Sequence, residues 1–217
     1  MSAQPKAPCV SVIDDDALVR GSIGSLLRSC GYDVQLHENT TEFLKRAKKD
    51  TSSCLILDIR LSGESGLDFQ EALVNHGLAI PVILITGHGD IPMTVRGMRA
   101  GAVDFLPKPF DDEQLIAAVG AAVEMDRSRR ANQADTANIK ILYAQLTPRE
   151  KEVMSLVVTG LMNKQVAARL EVSEITVKIH RGNVMRKMEA QSLADLVRMA
   201  EQLGVRDESI QRYHTQA

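Results

Sequence analysis

Tryptophan is absent from this 217-residue chain, and aromatic residues make up only 3% of it. Aliphatic side chains must therefore build any core it has. Cysteine is scarce as well: Cys9, Cys30 and Cys54 show no paired spacing, which argues against a disulfide framework or a zinc site. Cys9 and Cys54 fall in apolar runs and are expected in the core; a redox-sensing thiol is the other reading. No apolar run approaches the roughly 18 residues of a membrane-spanning helix. The polar stretch Met1 to Pro8 lacks the apolar centre of a secretory signal, so a cytoplasmic protein with no membrane partner is expected. Net charge is also nearly lacking, at −2, but the sum hides an asymmetry. Residues 1–126 hold 11 Lys/Arg against 18 Asp/Glu, and residues 127–217 hold 15 against 10. An acidic front (−7) and a basic rear (+5) suggest two domains with different partners, the rear one a candidate for nucleic acid.

What is there is organised around Cys54-Leu55-Ile56-Leu57-Asp58-Ile59-Arg60. An apolar run bounded by turn residues, here Ser62-Gly63-Glu64-Ser65-Gly66, reads as a strand buried on both faces. Asp58 then stands at its carboxyl end, where open parallel sheets form their ligand crevice. A lone aspartate there would be read as a loop residue capping the next helix. Asp58 has company, however. Val10-Ser11-Val12-Ile13 runs into Asp14-Asp15-Asp16, Ile80 to Ile85 runs into Thr86-Gly87, and Ala102 to Leu106 leads to Lys108-Pro109. Carboxylates, a hydroxyl and a lysine at successive strand ends suit phosphoryl chemistry on a carboxylate.

Strand-like runs alternate with helical patterns from Cys9 to Met125. The helical patterns centre on Leu18 to Leu27, on Phe43, Leu44 and Ala47 (capped by Asn39 or Thr40), on Leu67, Phe69, Leu73 and Val74, on Ile91 to Ala100, and on Leu115 to Val123. Five strands alternating with five helices predict an α/β fold, a doubly wound five-stranded parallel sheet. Residues 126–145 are polar and lack Pro and Gly; we read them as a helical linker continuous with the fifth helix, a disordered linker being the alternative. The remainder is all-α, with four helices. Thr147-Pro148-Arg149-Glu150 is a capping box with Pro at the first helical position. Asn163 opens a short helix, Ser173 caps the next as far as about Met188, and Ser192 caps the last, which ends at Gly204. The domain limits are therefore 8–125, a linker over 126–145, and 146–208, with a helix-turn-helix near 163–182.

In the front domain, Asp14, Asp15 and Asp58 offer the hard oxygen ligands that Mg²⁺ takes, and Lys108 and Thr86 can meet phosphoryl oxygens. The set Asp14-Asp15, Asp58, Thr86 and Lys108-Pro109 resembles the flavodoxin-like receiver domain of two-component response regulators. That resemblance implies that Asp58 is the phosphoacceptor and that Asp14, Asp15 and the backbone carbonyl of Arg60 complete a Mg²⁺ site. It makes Thr86 and Phe105 a switch pair and places a cis peptide at Lys108-Pro109. One departure is Ser62, where the family usually has proline four residues after the phosphoacceptor; it is expected to loosen the turn beside the metal. His88, in a glycine-rich loop, could be read as a base but more simply as a loop histidine.

In the rear domain, about 100° per residue gathers Val177, His180, Val184 and Met188 on the core side of the Ser173–Met188 helix. Glu174, Lys178, Arg181, Gly182 and Met185 gather on the other, a face suited to a major groove or to solvent. Leu146-Thr147-Pro148-Arg149-Glu150, Gly160 to Lys164 and Thr176 to His180 resemble the LuxR-type helix-turn-helix. The whole chain resembles the NarL/FixJ family, nearest its FixJ-like and StyR-like members. That match implies base contacts for Lys178, Ile179 and Gly182, and phosphate contacts for Asn163, Lys164, His180 and Arg181, with Thr176 in the same DNA-binding set. Gly182 departs from members with a long polar side chain there.

The function expected is a transcription regulator phosphorylated on Asp58 by a sensor histidine kinase. Phosphorylation would promote a homodimer through Val95, Met98, Arg99 and Phe105 and binding to double-stranded DNA, with RNA polymerase as a further partner. Two rivals stand beside it. A phosphorylated adaptor would use its rear helices to bind protein or RNA. A phosphatase is disfavoured because Arg60, two residues after Asp58, is no second carboxylate.

Overall fold

The computed structural model describes residues 7–47, 53–87 and 91–206; His88 lies outside them. The chain divides into two compact units, Met1–Arg130 and Ala131–Ala217.

The first unit is built on a parallel sheet of β1 (Cys9–Ile13), β2 (Asp33–His37), β3 (Cys54–Asp58), β6 (Val82–Thr86) and β7 (Asp104–Pro107), in the order β2-β1-β3-β6-β7. β1, β3 and β6 are buried throughout, which is why they read as nearly continuous apolar runs, broken in β1 only by the buried Ser11, rather than as alternating ones. Their side chains divide between two cores. Val10, Val12, Cys54, Ile56, Ile83 and Ile85 face α1 (Ala17–Ser29) and the first half of α5 (Asp112–Ala144). Ile13, Leu55, Leu57, Val82 and Leu84 pack with Phe43 of α2 (Thr40–Arg46) and with Leu67 and Phe69 of α3 (Gly66–Ala72). The helices flank both faces as the sequence predicts, and the crevice lies where β1 and β3 send their crossovers to opposite sides.

Local chemistry sets the ends. Asp16 caps α1 by accepting from the amides of Leu18 and Val19, and Asn39, rather than Thr40, caps α2. α4 (Ile91–Arg99) is followed by Gly101 at φ +87°, a left-handed turn that suits glycine. Two features depart from expectation. Val74 falls beyond α3 and is 80% exposed. A short antiparallel hairpin, β4 (Arg60–Leu61) and β5 (Glu64–Ser65), follows Asp58, with Ser62-Gly63 as its turn. Gly63 has φ +87°, which a residue with a Cβ adopts only at a cost.

In the second unit, Ile139 and Leu142 of α5 join Met154 of α6 (Pro148–Val157), Val184 of α8 (Glu174–Lys187), and Leu196 and Ala200 of α9 (Leu193–Leu203) in one core. A smaller core unites Val153 and Val157 with Val166 and Ala167 of α7 (Asn163–Leu170) and with Val177 of α8. The expected capping box is present: the Thr147 hydroxyl accepts from the Glu150 amide, and the Glu150 carboxylate accepts from the Thr147 amide. Buried Glu150 also accepts from Lys187 at 2.6 Å, tying α6 to α8. Burial works against this carboxylate, but Lys187 and the Thr147 amide outweigh it and hold its pKa below the ordinary value. No disulfide joins Cys9, Cys30 and Cys54; Cys9 and Cys54 are buried and Cys30 is exposed. Among the described residues no helix is long and apolar enough to cross a membrane.

Candidate functional site: an acidic crevice and a helix-turn-helix

At the carboxyl ends of β1 and β3, oxygens of Asp14, Asp15 and Asp58 lie within 4.8 Å of one another. The fully buried Asp14 accepts from the Asp16 amide at 2.9 Å. Asp58 is 6% exposed, and its Oδ1 accepts from the Arg60 amide at 2.9 Å. Lys108, at the end of β7, donates from Nζ to Asp14 Oδ2 at 2.7 Å and to Asp58 Oδ2 at 2.6 Å. The Lys108 amide donates to the Thr86 carbonyl, and Lys108-Pro109 is a cis peptide. Thr86 is wholly buried at the end of β6. On the far side Ser62 donates its hydroxyl to Asp15 Oδ2 at 2.5 Å.

The charges explain what such a site can hold. Burial raises the Asp14 pKa, and the hydrogen bond from Lys108 only partly offsets it. Burial alone would lower Lys108, but its hydrogen bonds to Asp14 and Asp58 outweigh that and raise it. Asp15 is lowered, first by the Ser62 hydroxyl. Three carboxylates facing one ammonium leave excess negative charge in a small volume. A hard divalent cation with oxygen ligands fits this donor set; zinc, which favours nitrogen and sulfur, does not.

In the second unit, α7 ends at Glu171 in a left-handed conformation (φ 54°), and Ser173 caps α8 by accepting from the Thr176 amide. Two helices joined by so short a turn form a helix-turn-helix. Val177, Val184 and Met188 are buried on the core side, as periodicity predicts. His180 is half-buried there. Glu174, Lys178 and Gly182 are exposed, joined by Ile179 at 59% exposure and by Ile175 at 73%. Lys164 is exposed at the start of α7. Met185 corrects the sequence reading: it is half-buried and packs on the larger core with Tyr143 and Val197. A long, flexible thioether reaches back over its own helix to apolar neighbours.

Comparison with known proteins follows the same division. Residues 10–120 match the response regulator receiver domain, and residues 144–200 match the luxR family of bacterial regulatory proteins. Nodulation protein W of Bradyrhizobium diazoefficiens is 57% identical over 196 residues, 90% of this chain and 86% of that one. Transcriptional regulatory protein FixJ of Rhizobium meliloti is 42% identical over 191 residues, 88% and 94% of the two chains. The solved structure of response regulator StyR superposes with a TM-score of 0.78 at 43% identity, covering 90% of this chain and 98% of that one. The chain is a response regulator of the NarL/FixJ family. It is accordingly a transcription factor controlled by phosphorylation of its receiver, with a histidine kinase upstream and DNA as its target.

The regulator also contains parts that its sequence did not advertise. Gly66 opens α3 against the end of β3: a Cβ there would lie 2.1 Å from the Asp58 carbonyl oxygen. Gly97, near the end of α4, sits as close to β6: a Cβ there would lie 2.3 Å from the Leu84 side chain. The Gln70 side-chain amide of α3 donates to the Gly97 carbonyl at 3.2 Å. α4 therefore lies close on β6, two residues from Thr86. Its outer surface carries Val95 at 42% and Met98 at 45% exposure, with exposed Arg99 and Ile91, while Phe105 of β7 is half-buried. Arg181 reaches from α8 to Asn163 at 3.2 Å, so two residues expected at phosphates also brace the two helices of the motif. The turn expected to be loose at Ser62 is tied to Asp15 instead.

Proposed function

We propose that Asp58 accepts a phosphoryl group from the phosphohistidine of a sensor kinase at a Mg²⁺ site formed by Asp14, Asp15, Asp58 and the Arg60 carbonyl. The observation that carries this reading is the grip of Lys108 on both Asp14 and Asp58. When bound, the cation neutralises charge on the phosphoryl oxygens and orients them. An Asp58 oxygen forms the new bond to phosphorus as the bond from phosphorus to the kinase imidazole breaks. The Arg60 amide fixes the carboxylate that attacks. Lys108 offers its ammonium to the oxygens that arrive, and the Thr86 hydroxyl and Phe105 respond as a switch. The domain limits proposed are 8–125 for the receiver, 126–145 for the linker and 146–208 for the DNA-binding domain. To test this, the full chain is incubated with a labelled small phosphodonor, with Mg²⁺ or with chelator, and a duplex selected from random DNA is then titrated. Labelling is expected only with Mg²⁺, and tighter duplex binding only after labelling. Metal-independent labelling, or equal DNA affinity of the two forms, overturns the reading.

Phosphorylation favours a homodimer through Val95, Met98, Arg99 and Phe105. The support is an exposed apolar strip on a helix that lies on β6 through Gly97. A coupling of about 1–3 kcal/mol gives roughly 5- to 150-fold tighter self-association. Sedimentation of both forms measures it, and equal dimerisation constants reject it. The phosphorylated dimer then acts with RNA polymerase at promoters.

DNA reading divides between two lysines. Lys178 stands mid-way along the exposed face of α8, while Lys164 stands at the start of the helix that crosses the phosphate backbone in this motif. Lys178→Ala is expected to cost about 1–3 kcal/mol of discrimination between cognate and scrambled duplex. Lys164→Ala should weaken both duplexes alike and reduce the salt slope by about one unit. Binding titrations over a salt series decide it. An intact specificity ratio in the first variant, or an unchanged slope in the second, refutes the division.

A further inference from the structure

Ser62 occupies the first position of the two-residue turn between β4 and β5, and several contacts hold that turn still. Arg60 pairs with Ser65 and Leu61 with Glu64. Glu64 accepts from the Thr40 amide at 2.9 Å and from its hydroxyl at 2.5 Å, anchoring the hairpin to the start of α2. Thr40 is buried and Glu64 half-buried. The Arg60 amide holds the other end of the hairpin to Asp58. From this fixed support the Ser62 hydroxyl donates to Asp15 Oδ2 at 2.5 Å. Asp15 differs from its two neighbours in the crevice: Asp14 and Asp58 are buried and gripped by Lys108, whereas Asp15 is partly exposed. Among the described residues, the Ser62 hydroxyl is the side-chain donor that fixes it.

We propose that Ser62 is a positioning residue for divalent-cation binding, holding the Asp15 carboxylate in the orientation in which it serves as a ligand. The proposal rests on the reading that Asp14, Asp15 and Asp58 hold the cation. Outer groups that hydrogen-bond a ligand fix its orientation before the metal arrives and strengthen binding. An exposed carboxylate left to rotate must be ordered when the cation binds. That ordering weakens binding by roughly two- to tenfold. The Ser62 hydroxyl holds Asp15 by Oδ2.

Calorimetric titration of the full-length protein with MgCl₂, without phosphodonor, tests this. Ser62→Ala is expected to bind Mg²⁺ two- to tenfold more weakly, and Ser62→Thr, which keeps the hydroxyl, to restore affinity. Ser62→Pro should bind no more tightly than the alanine variant. Proline suits the first position of such a turn, so its loss is not one of turn geometry; it removes both the Ser62 hydroxyl and the Ser62 amide that face Asp15, and the alanine variant isolates the hydroxyl. Thermal unfolding without metal confirms that each variant is folded, and Asp15→Asn provides the reference. If Asp15→Asn binds Mg²⁺ as wild type does, the carboxylate set itself is wrong and the proposal falls with it. If Asp15→Asn weakens binding while Ser62→Ala does not, or if threonine fails to restore it, the site stands and the role of Ser62 is rejected.

Discussion

Asp58→Asn should reduce phosphoryl labelling to background while leaving the fold intact. The asparagine matches the carboxylate in shape, and its carbonyl oxygen can still accept from the Arg60 amide, which lies 2.9 Å from Asp58 Oδ1. What it lacks is a negatively charged oxygen able to form an acyl phosphate. The substitution also removes one carboxylate from a crevice where three stand within 4.8 Å. Like charges at such distances repel, and Lys108 keeps its bond to Asp14. Folding should therefore not suffer, and circular dichroism and the unfolding midpoint are the controls. The duplex affinity of this variant should no longer rise when phosphodonor is added. Labelling at the wild-type level would show that the phosphoryl group goes elsewhere.

Gly66→Ala should do through packing what Asp58→Asn does through chemistry. The added methyl would sit 2.1 Å from the Asp58 carbonyl oxygen and 3.0 Å from Ile59 Cα. These are backbone atoms, which cannot swing aside as a side chain can. Either the start of α3 or the end of β3 must move, and the Gly66 amide bond to the Ile59 carbonyl at 2.9 Å must stretch. A loss of about 3 kcal/mol of stability is expected from such overpacking. A displacement of about 1 Å at the reacting carboxylate would slow labelling by roughly 100-fold. Gly21→Ala is the contrast. Gly21 lies in α1 with nothing within 4 Å of a Cβ, and the change should stabilise the protein by about 0.4–1 kcal/mol. Unfolding curves and initial labelling rates on the two variants check both arms. Equal behaviour of the two would remove any special role for Gly66.

The two glycines also mark the border between what the sequence discloses and what it withholds. Asp58 was legible because an apolar run ends on it, and strands buried on both faces are continuous runs. Thr147 and Glu150 were legible because a capping box is a contact within one helical turn. Gly66 was not, because a close approach between two backbones is a property of the folded chain and leaves no periodic trace. The hairpin at Arg60–Ser65 leaves no pattern in the sequence, since two residues per strand are too few to alternate. Met185 was misplaced because angular position on a helix ignores the reach of a long side chain. A proline at position 62 would act through its ring on the backbone, whereas Ser62 acts through its hydroxyl.

Gly182 carries a consequence for how a regulator of this kind can diverge. It lies inside α8, exposed, with open space where a Cβ would stand. Glycine in a helix interior costs up to about 1 kcal/mol relative to alanine. A mutation to almost any other residue would thus recover helix stability and, in the same step, add a side chain to the surface proposed to read DNA. Most changes of specificity must be acquired against a loss of stability that selection has to tolerate. Here the two gains point the same way, so a duplicated copy of this protein could move to new operators by substitution at one position without passing through a poorly folded ancestor.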